Sequence, residues 1–251
     1  MGKTVLITGA GSGFGKLAAL ALAERGHHVI ATTETDEQAV ALAGEAPQLR
    51  VERVDITTSD VAKVLNWDVD VLINNAGAGE TGPIADVPIN RVRHLFEVNV
   101  FGTLSITQVV LKGMVAKKNG RIIIMSSIAG VLSAPAFGPY SMTKFALEAM
   151  GKAMRAELAP LGIDVTLVNP GPYLTGFNDR MADSMWEWFG DQSLNGSQAD
   201  LFRLIGDFVT TDQRDPADVA NRLVELTEAD TTTENNFVPL DIRAQLGLEG
   251  A

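Results

Sequence analysis

A chain of 251 residues with 46% apolar side chains has enough core-forming surface for one sizeable folded unit, which argues against disorder. Its net charge of −11, with no cluster of lysine or arginine to offset it, argues against nucleic acid and anionic membrane as partners. The absence of cysteine removes disulfides, thiol nucleophiles and thiolate metal sites.

Only Met1 to Lys3 precede the first apolar run, so no signal peptide is expected. No uninterrupted apolar run reaches the roughly 18 residues of a membrane span, and a cytoplasmic protein is the expectation. Candidate strands in chain order are Thr4–Thr8, His28–Thr32, Arg50–Val54, Val69–Asn74, Arg121–Ser126 and Asp164–Val168. Their apolar runs (VLIT, VLIN, IIIM, VTLV) suit strands covered on both faces. Helical patterns lie between them over Gly13–Arg25, Glu37–Gly44, Asn90–Lys118 and Tyr140–Leu161, with another over Pro216–Glu228. The alternation predicts a parallel α/β sheet with right-handed crossovers, in one domain covering residues 1–251. The adjacent His27 and His28 are expected on opposite faces of the second strand; neither they nor His94 have metal-ligand spacing. Residues Gly176–Gln213, which include Trp186 and Trp188, fall outside the alternation. They read equally as a lid over a substrate pocket or as cover for an interface or sheet edge.

The first strand runs straight into a glycine turn, with Gly9, Gly13 and Gly15 opening the first helix. A glycine triplet alone is weak evidence, but strand, turn and helix in this order are the context of a dinucleotide pyrophosphate site. Asp55, after the third strand, suits an adenine amino group and, compatibly, the N-cap of a short helix. In the NNAG segment, Asn74 reads as structural, whereas Asn75 and Gly77 read as cofactor contacts. The charge after the second strand decides which dinucleotide is preferred. Here Thr33 is followed by Glu34 with no base nearby, and Ser12 stands in the glycine turn where arginine would favour a phosphate. NAD is therefore expected over NADP.

Tyr140 and Lys144 are four residues apart on one predicted helix, hence on one face. An ammonium close to a phenol favours phenolate over phenol. Ser127, thirteen residues before Tyr140, could hold a reacting oxygen while the tyrosine passes a proton. Together these suggest an alcohol or carbonyl site beside a bound dinucleotide.

The ordered set TGAGSGFG, NNAG, EVNVFG with Asn99, MSSIAG with Ser127, YSMTK and NPGPYLT resembles the short-chain dehydrogenase/reductase family over about residues 4–175. The resemblance implies a single-domain Rossmann fold: a doubly wound parallel sheet of about seven strands, the last near Phe237–Leu240. It implies Tyr140 as acid/base, Lys144 as the residue lowering the tyrosine pKa and binding the nicotinamide ribose, Ser127 as substrate-oxygen partner, and Asn99 as the residue that bends a helix and holds a water. It places cofactor contacts at Gly9, Gly11, Ser12, Gly13, Phe14 and Gly15, at Thr33 and Glu34, at Asp55 and Ile56, and at Asn75, Ala76 and Gly77. Further contacts come from Tyr140 and Lys144 and from Pro170, Gly171, Tyr173 and Thr175. A homotetramer or homodimer follows from the same resemblance.

Three features depart from the family pattern: a short stretch between Asp55 and Asn74, Tyr173 in place of a smaller side chain, and Thr33–Glu34, which match neither cofactor pattern cleanly. Ala134, Pro135, Ala136, Phe137, Tyr173 and the tryptophan segment suggest an apolar or aromatic alcohol or ketone as substrate. A lyase or dehalogenase on the same fold would need larger residues in the glycine turn and usually an arginine for Lys144. A non-catalytic dinucleotide sensor would lack Tyr140 or Lys144, and both are present.

Overall fold

The computed structural model describes residues 2–245 and 247. Strand β1 (Thr4–Ile7) leads through the glycine turn to α1 (Gly13–Glu24), then β2 (His28–Thr33), α2 (Asp36–Glu45) and β3 (Arg50–Arg53). A 3-10 helix, Ser59–Asn66, occupies the shortened crossover before β4 (Val71–Asn74). Helix α3 (Ile89–Phe96) continues through a π-helical stretch, Glu97–Gly102, into α4 (Thr103–Lys117), followed by β5 (Gly120–Met125). Helix α5 (Gly138–Leu158) and β6 (Ile163–Pro170) precede α6 (Phe177–Ser184) and α7 (Ala199–Thr210). Helix α8 (Ala217–Glu228), β7 (Asn235–Val238) and the short α9 (Ile242–Gln245) complete the order.

The seven strands form one parallel sheet in the order β3-β2-β1-β4-β5-β6-β7. The order reverses between β1 and β4, which opens a crevice at their carboxyl ends. Side chains alternate across the sheet as the pleat requires. Val5 and Ile7 of β1, Val71 and Ile73 of β4 and Ile123 of β5 join Ala18, Leu22, Leu42, Leu223 and Val224 of α1, α2 and α8. Leu6, Leu72, Ile122 and Ile124 point the other way, onto Val64, Ile106, Val110, Met114 and Leu147. Both faces are therefore covered, which explains the unbroken apolar runs in the strands.

Two expectations change. The helical column Ile89–Lys117 is long and apolar enough, by length and composition, to cross a membrane, although no unbroken apolar run announced it; its Ile106, Val110 and Met114 pack onto the sheet. His27 lies just before β2 instead of alternating within it: its Nδ1 accepts from the Lys3 amide at 3.1 Å, while His28 is exposed.

At the amino end of the sheet, away from the crevice, Arg121 is almost fully buried. Its Nε donates to Asp164 at 2.9 Å, and its other nitrogens reach the carbonyls of Leu226 in the last turn of α8 and of Ala229 and Asp230 just beyond it. Helix ends leave carbonyls without intrahelical donors, and a guanidinium is well shaped to satisfy several at once. Replacing Arg121 with Met is expected to lower stability by about 3 kcal/mol, read by urea unfolding. A loss below about 1 kcal/mol would show that water replaces the guanidinium at these carbonyls.

Candidate active site

The glycine turn sits at the crevice because backbone approaches backbone there. Gly9 and Gly13 have φ of +64° and +54°, the left-handed region that favours glycine. A Cβ on Gly9 would lie 2.7 Å from the Ala76 Cα, and one on Gly15 would lie 2.4 Å from Asn75 Nδ2. The Thr8 hydroxyl accepts from the amides of both Asn75 and Ala76 at 3.0 Å. The Asn75 side chain donates to the carbonyls of Thr8 and Gly9 at 2.9 and 3.0 Å, so it holds the turn as well as facing the crevice. Asn74 is structural, donating to Thr107 on α4 at 2.9 Å.

A cavity of about 760 Å³ runs from this turn to α5. Its wall includes Gly9, Gly11, Ser12, Gly13 and Phe14, then Glu34, Asp55 and Ile56, then Asn75, Ala76 and Gly77. It continues past Ser127, Tyr140 and Lys144 to Pro170, Gly171, Tyr173 and Thr175. Three of the expected site residues lie behind this wall. Gly15 is buried under the turn; Thr33 is buried with its hydroxyl donating to the Thr35 carbonyl at 3.0 Å; Asn99 is buried and bonded to Ala78 and Thr143. An extended dinucleotide fits the cavity's length-wise run of bare backbone, and the slots at Gly9 and Gly15 are ones a side chain would fill.

At one end, Glu34 faces the cavity, but the expectation of no base nearby needs correction. Arg53 donates from Nε to the Glu34 carbonyl at 3.1 Å and pairs with Asp60. It arrives through the β2–β3 pairing, which sets Arg53 opposite Thr33, and a search along the chain cannot see that. Asp55 is not the cap of the following helix. It accepts from the Thr57 amide and hydroxyl at 2.9 and 2.7 Å, and Thr58 provides the cap.

At the other end, β5 delivers Ser127 and α5 delivers Tyr140 and Lys144. The Ser127 Oγ accepts from the Ala129 amide at 3.1 Å and interacts with the Tyr140 hydroxyl. Neighbouring Ser126 turns inward, its hydroxyl buried against Gly130. Lys144 Nζ donates to the Met125 carbonyl at 2.8 Å and lies 5.5 Å from the centre of the Tyr140 ring. The expected direct effect of the lysine on the phenol does not dominate. Burial pushes the Tyr140 pKa well above its ordinary value, and the opposing influence is the Ser127 hydrogen bond. Burial also pulls Lys144 down to about 8, against the raising influence of Glu148.

Asn99 lies in the π-helical stretch and links three elements. Its Oδ1 accepts from the Ala78 amide at 2.7 Å; its Nδ2 donates to the Ala78 carbonyl at 2.9 Å and to Thr143 Oγ1 at 3.0 Å. Thr143 in turn donates to the Tyr140 carbonyl at 2.8 Å. Sequence reading missed Thr143; its place three residues after Tyr140 on a buried helix face is the signal that could have found it.

The remaining wall is apolar. Ala134, Pro135 and Phe137 line it with Phe177 and Met181 of α6 and Leu204, Ile205, Phe208 and Val209 of α7. Phe177 lies 5.8 Å from the Tyr140 ring. The segment after β6 is thus helical, and part of it faces the cavity. The tryptophans do not. Trp186 and Trp188 pack edge-on to Phe189 at 5.9 and 6.0 Å, beside Ala136, Met185 and Phe202. Trp188 also donates to Glu80 at 2.9 Å. Tyr173 is fully buried with its ring edge-on to Phe14 at 5.6 Å, so it shapes the wall near the glycine turn.

Comparison with known proteins agrees with this geometry. A family model described as "short chain dehydrogenase" matches residues 3–186. An "uncharacterized oxidoreductase", YusZ of Bacillus subtilis, is 40% identical over 185 residues, 69% of this chain and 66% of the relative. A 3-ketodihydrosphingosine reductase of Bacteroides thetaiotaomicron is 38% identical over 185 residues, 71% of this chain and 66% of the relative. The match thus spans just under two thirds of the length of each of these two relatives. A short-chain dehydrogenase from Streptomyces avermitilis, known from its crystal structure, superimposes with a TM-score of 0.81 at 28% identity, covering 99% of this chain and 96% of that one. With the glycine turn, the Ser127–Tyr140–Lys144 grouping and the seven-stranded sheet in place, the chain belongs to the short-chain dehydrogenase/reductase family of oxidoreductases.

Proposed function

We propose that this chain is an NAD(P)-dependent oxidoreductase that interconverts a secondary alcohol and a ketone, with Tyr140 as its acid/base. The observation that carries the reading is the meeting of Ser127, Tyr140 and Lys144 on the wall that also contains the glycine turn. A nicotinamide dinucleotide, when bound, supplies the hydride donor or acceptor. Gly9 to Phe14 would hold its pyrophosphate, with Asn75 to Gly77 and Pro170 to Thr175 along the rest of its length. Ser127 holds the substrate oxygen. In oxidation Tyr140 takes the hydroxyl proton, and in reduction it returns it. The phenol needs help to ionise, since burial opposes it; the Lys144 ammonium and the Ser127 hydroxyl are the groups placed to give that help. Asn99 fixes the approach of α5 through Thr143.

NAD is the preferred dinucleotide in this reading. Glu34 faces the cavity, and a 2′-phosphate about 4 Å from its carboxylate would be disfavoured by about 1–4 kcal/mol. Arg53 is held by Asp60 and by the Glu34 carbonyl. The substrate is apolar, matching the wall that α6 and α7 present as a lid; a relative named for a keto substrate supports the ketone. We place the protein in the cytoplasm as a homo-oligomer. Phe101, Met142 and Phe145 are exposed apolar side chains that a second copy would cover.

Tyr140→Phe is expected to lower kcat by about 10²–10⁴-fold with dinucleotide affinity nearly unchanged, measured by steady-state turnover and nicotinamide fluorescence. Retention of a tenth of wild-type kcat would remove Tyr140 from the role. The same fluorescence titration is expected to show tighter NADH than NADPH, and the reverse order would mean that Arg53 leaves Asp60 to read a phosphate.

Lys144 gives a pH signature. Its folded pKa of about 8 lies below its ordinary 10.5, so at pH 7 the folded state carries a buried ammonium that the unfolded state solvates. Wild-type stability is therefore expected to rise relative to Lys144→Met between pH 7 and 9.5, by about 1–2 kcal/mol, because the folded wild type releases its proton first. Thermal unfolding of both proteins at pH 7 and 9.5 checks this, and a stability difference that does not change with pH would refute it.

A further inference from the structure

Among the described residues, the buried carboxylates are Glu80 and Glu148. Glu80 is matched by Arg91 at 3.0 Å and by the Trp188 indole. Glu148 has no comparable partner: Lys152 stands 3.9 Å away with its side chain half exposed. A buried charge persists only where hydrogen bonds or another charge compensate its lost hydration.

Both oxygens of Glu148 are met by amides from the sheet. Asn169 Nδ2 of β6 donates to Oε1 at 2.6 Å, and Asn235 Nδ2 of β7 donates to Oε2 at 2.8 Å. Asn169 Nδ2 also donates to the Ser127 carbonyl at 3.2 Å. Tyr140, Lys144 and Glu148 are spaced four apart, so they form one stripe on α5, and all three are buried. The charged groups facing Glu148 are Lys144 and Lys152, both on α5. The strands β6 and β7 present the two amides, and residues 126–130 present the Ser126 hydroxyl and the Gly130 backbone.

We propose that Glu148 is a positioning residue of the active site, compensating the charge of the Lys144 ammonium one turn away and, through Asn169, fixing the main chain that carries Ser127. One carboxylate thus serves both partners of Tyr140. The direction of its influence on Lys144 fits: the carboxylate strengthens the hold of the lysine on a proton that burial would otherwise loosen. The inference rests on Tyr140 and Lys144 acting as proposed above.

The test compares Glu148→Gln with wild type and with Tyr140→Phe as control. Glu148→Gln is expected to keep its folded content and its NADH affinity. Its kcat for ketone reduction should fall by about tenfold or more, and the alkaline limb of its pH profile should move down by about one unit. A folded Glu148→Gln with wild-type kcat and an unmoved limb overturns the proposal. Asn169→Ser provides a second arm should the first variant not fold. It leaves the carboxylate in place and cuts its link to the Ser127 carbonyl, so kcat should fall by about fivefold with NADH affinity unchanged. Wild-type kcat in that variant also overturns the proposal. An inactive Tyr140→Phe beside a normal Glu148→Gln would sink this inference alone, whereas an active Tyr140→Phe would sink the reading beneath it.

Discussion

The site depends on how closely two loops can approach at the point where the sheet reverses its order. After β1 and β4 the chain peels off to opposite sides, and each loop would leave main-chain amides without strand partners. The Thr8 hydroxyl accepts from two successive amides of the β4 loop, and Asn75 returns two bonds to the β1 loop. These four bonds satisfy polar groups that burial would otherwise leave unmade. They also draw the backbones so near that only glycine fits at positions 9 and 15. A bare-backbone trough follows directly, and it is open to a ligand that needs backbone donors and close approach.

The second half of the site answers to a different constraint, the path of one long helical column. An α-helix from Ile89 to Lys117 with regular bonding would have no reason to send a side chain out toward Ala78 and Thr143. The π-helical turn at Glu97–Gly102 widens the helix locally, and such insertions concentrate at functional positions. Asn99 then bonds both the amide and the carbonyl of Ala78. The position of Tyr140 is thereby referred, through Thr143, to the loop that borders the trough. The glycine-turn end and the Tyr140 end of the cavity share one framework.

What the sequence made legible was whatever a local pattern encodes. Strand and helix order came from apolar runs and their spacing, and the Tyr140–Lys144 pair from four-residue periodicity. The shortened crossover after Asp55 was visible as a short interval and appears as a 3-10 helix. What stayed hidden was set by pairing across the sheet or by burial. Arg53 reaches Glu34 only because β3 lies beside β2. Glu148 meets Asn169 and Asn235 across two strands. The tryptophans drew attention by their rarity, yet their contacts are with one another's neighbours and not with the cavity. The direction of the Tyr140 shift was also missed, because proximity of a charge is readable in sequence whereas the desolvation opposing it is not.

The cap formed by α6 and α7 has its own small core, in which Phe189 stands between Trp186, Trp188 and Phe202. Of the side chains turned toward the cavity, Ile205 packs against that core, whereas Leu204 and Phe208 are 67% and 80% exposed. Packing of these helices and contact with the cavity thus fall largely on different residues, with Ile205 shared. A change at Leu204 or Phe208 alters what the cavity touches while removing almost nothing from the folded core. Side chains that only meet the cavity there can change at little cost in stability, whereas the aromatic cluster carries the packing of α6 and α7.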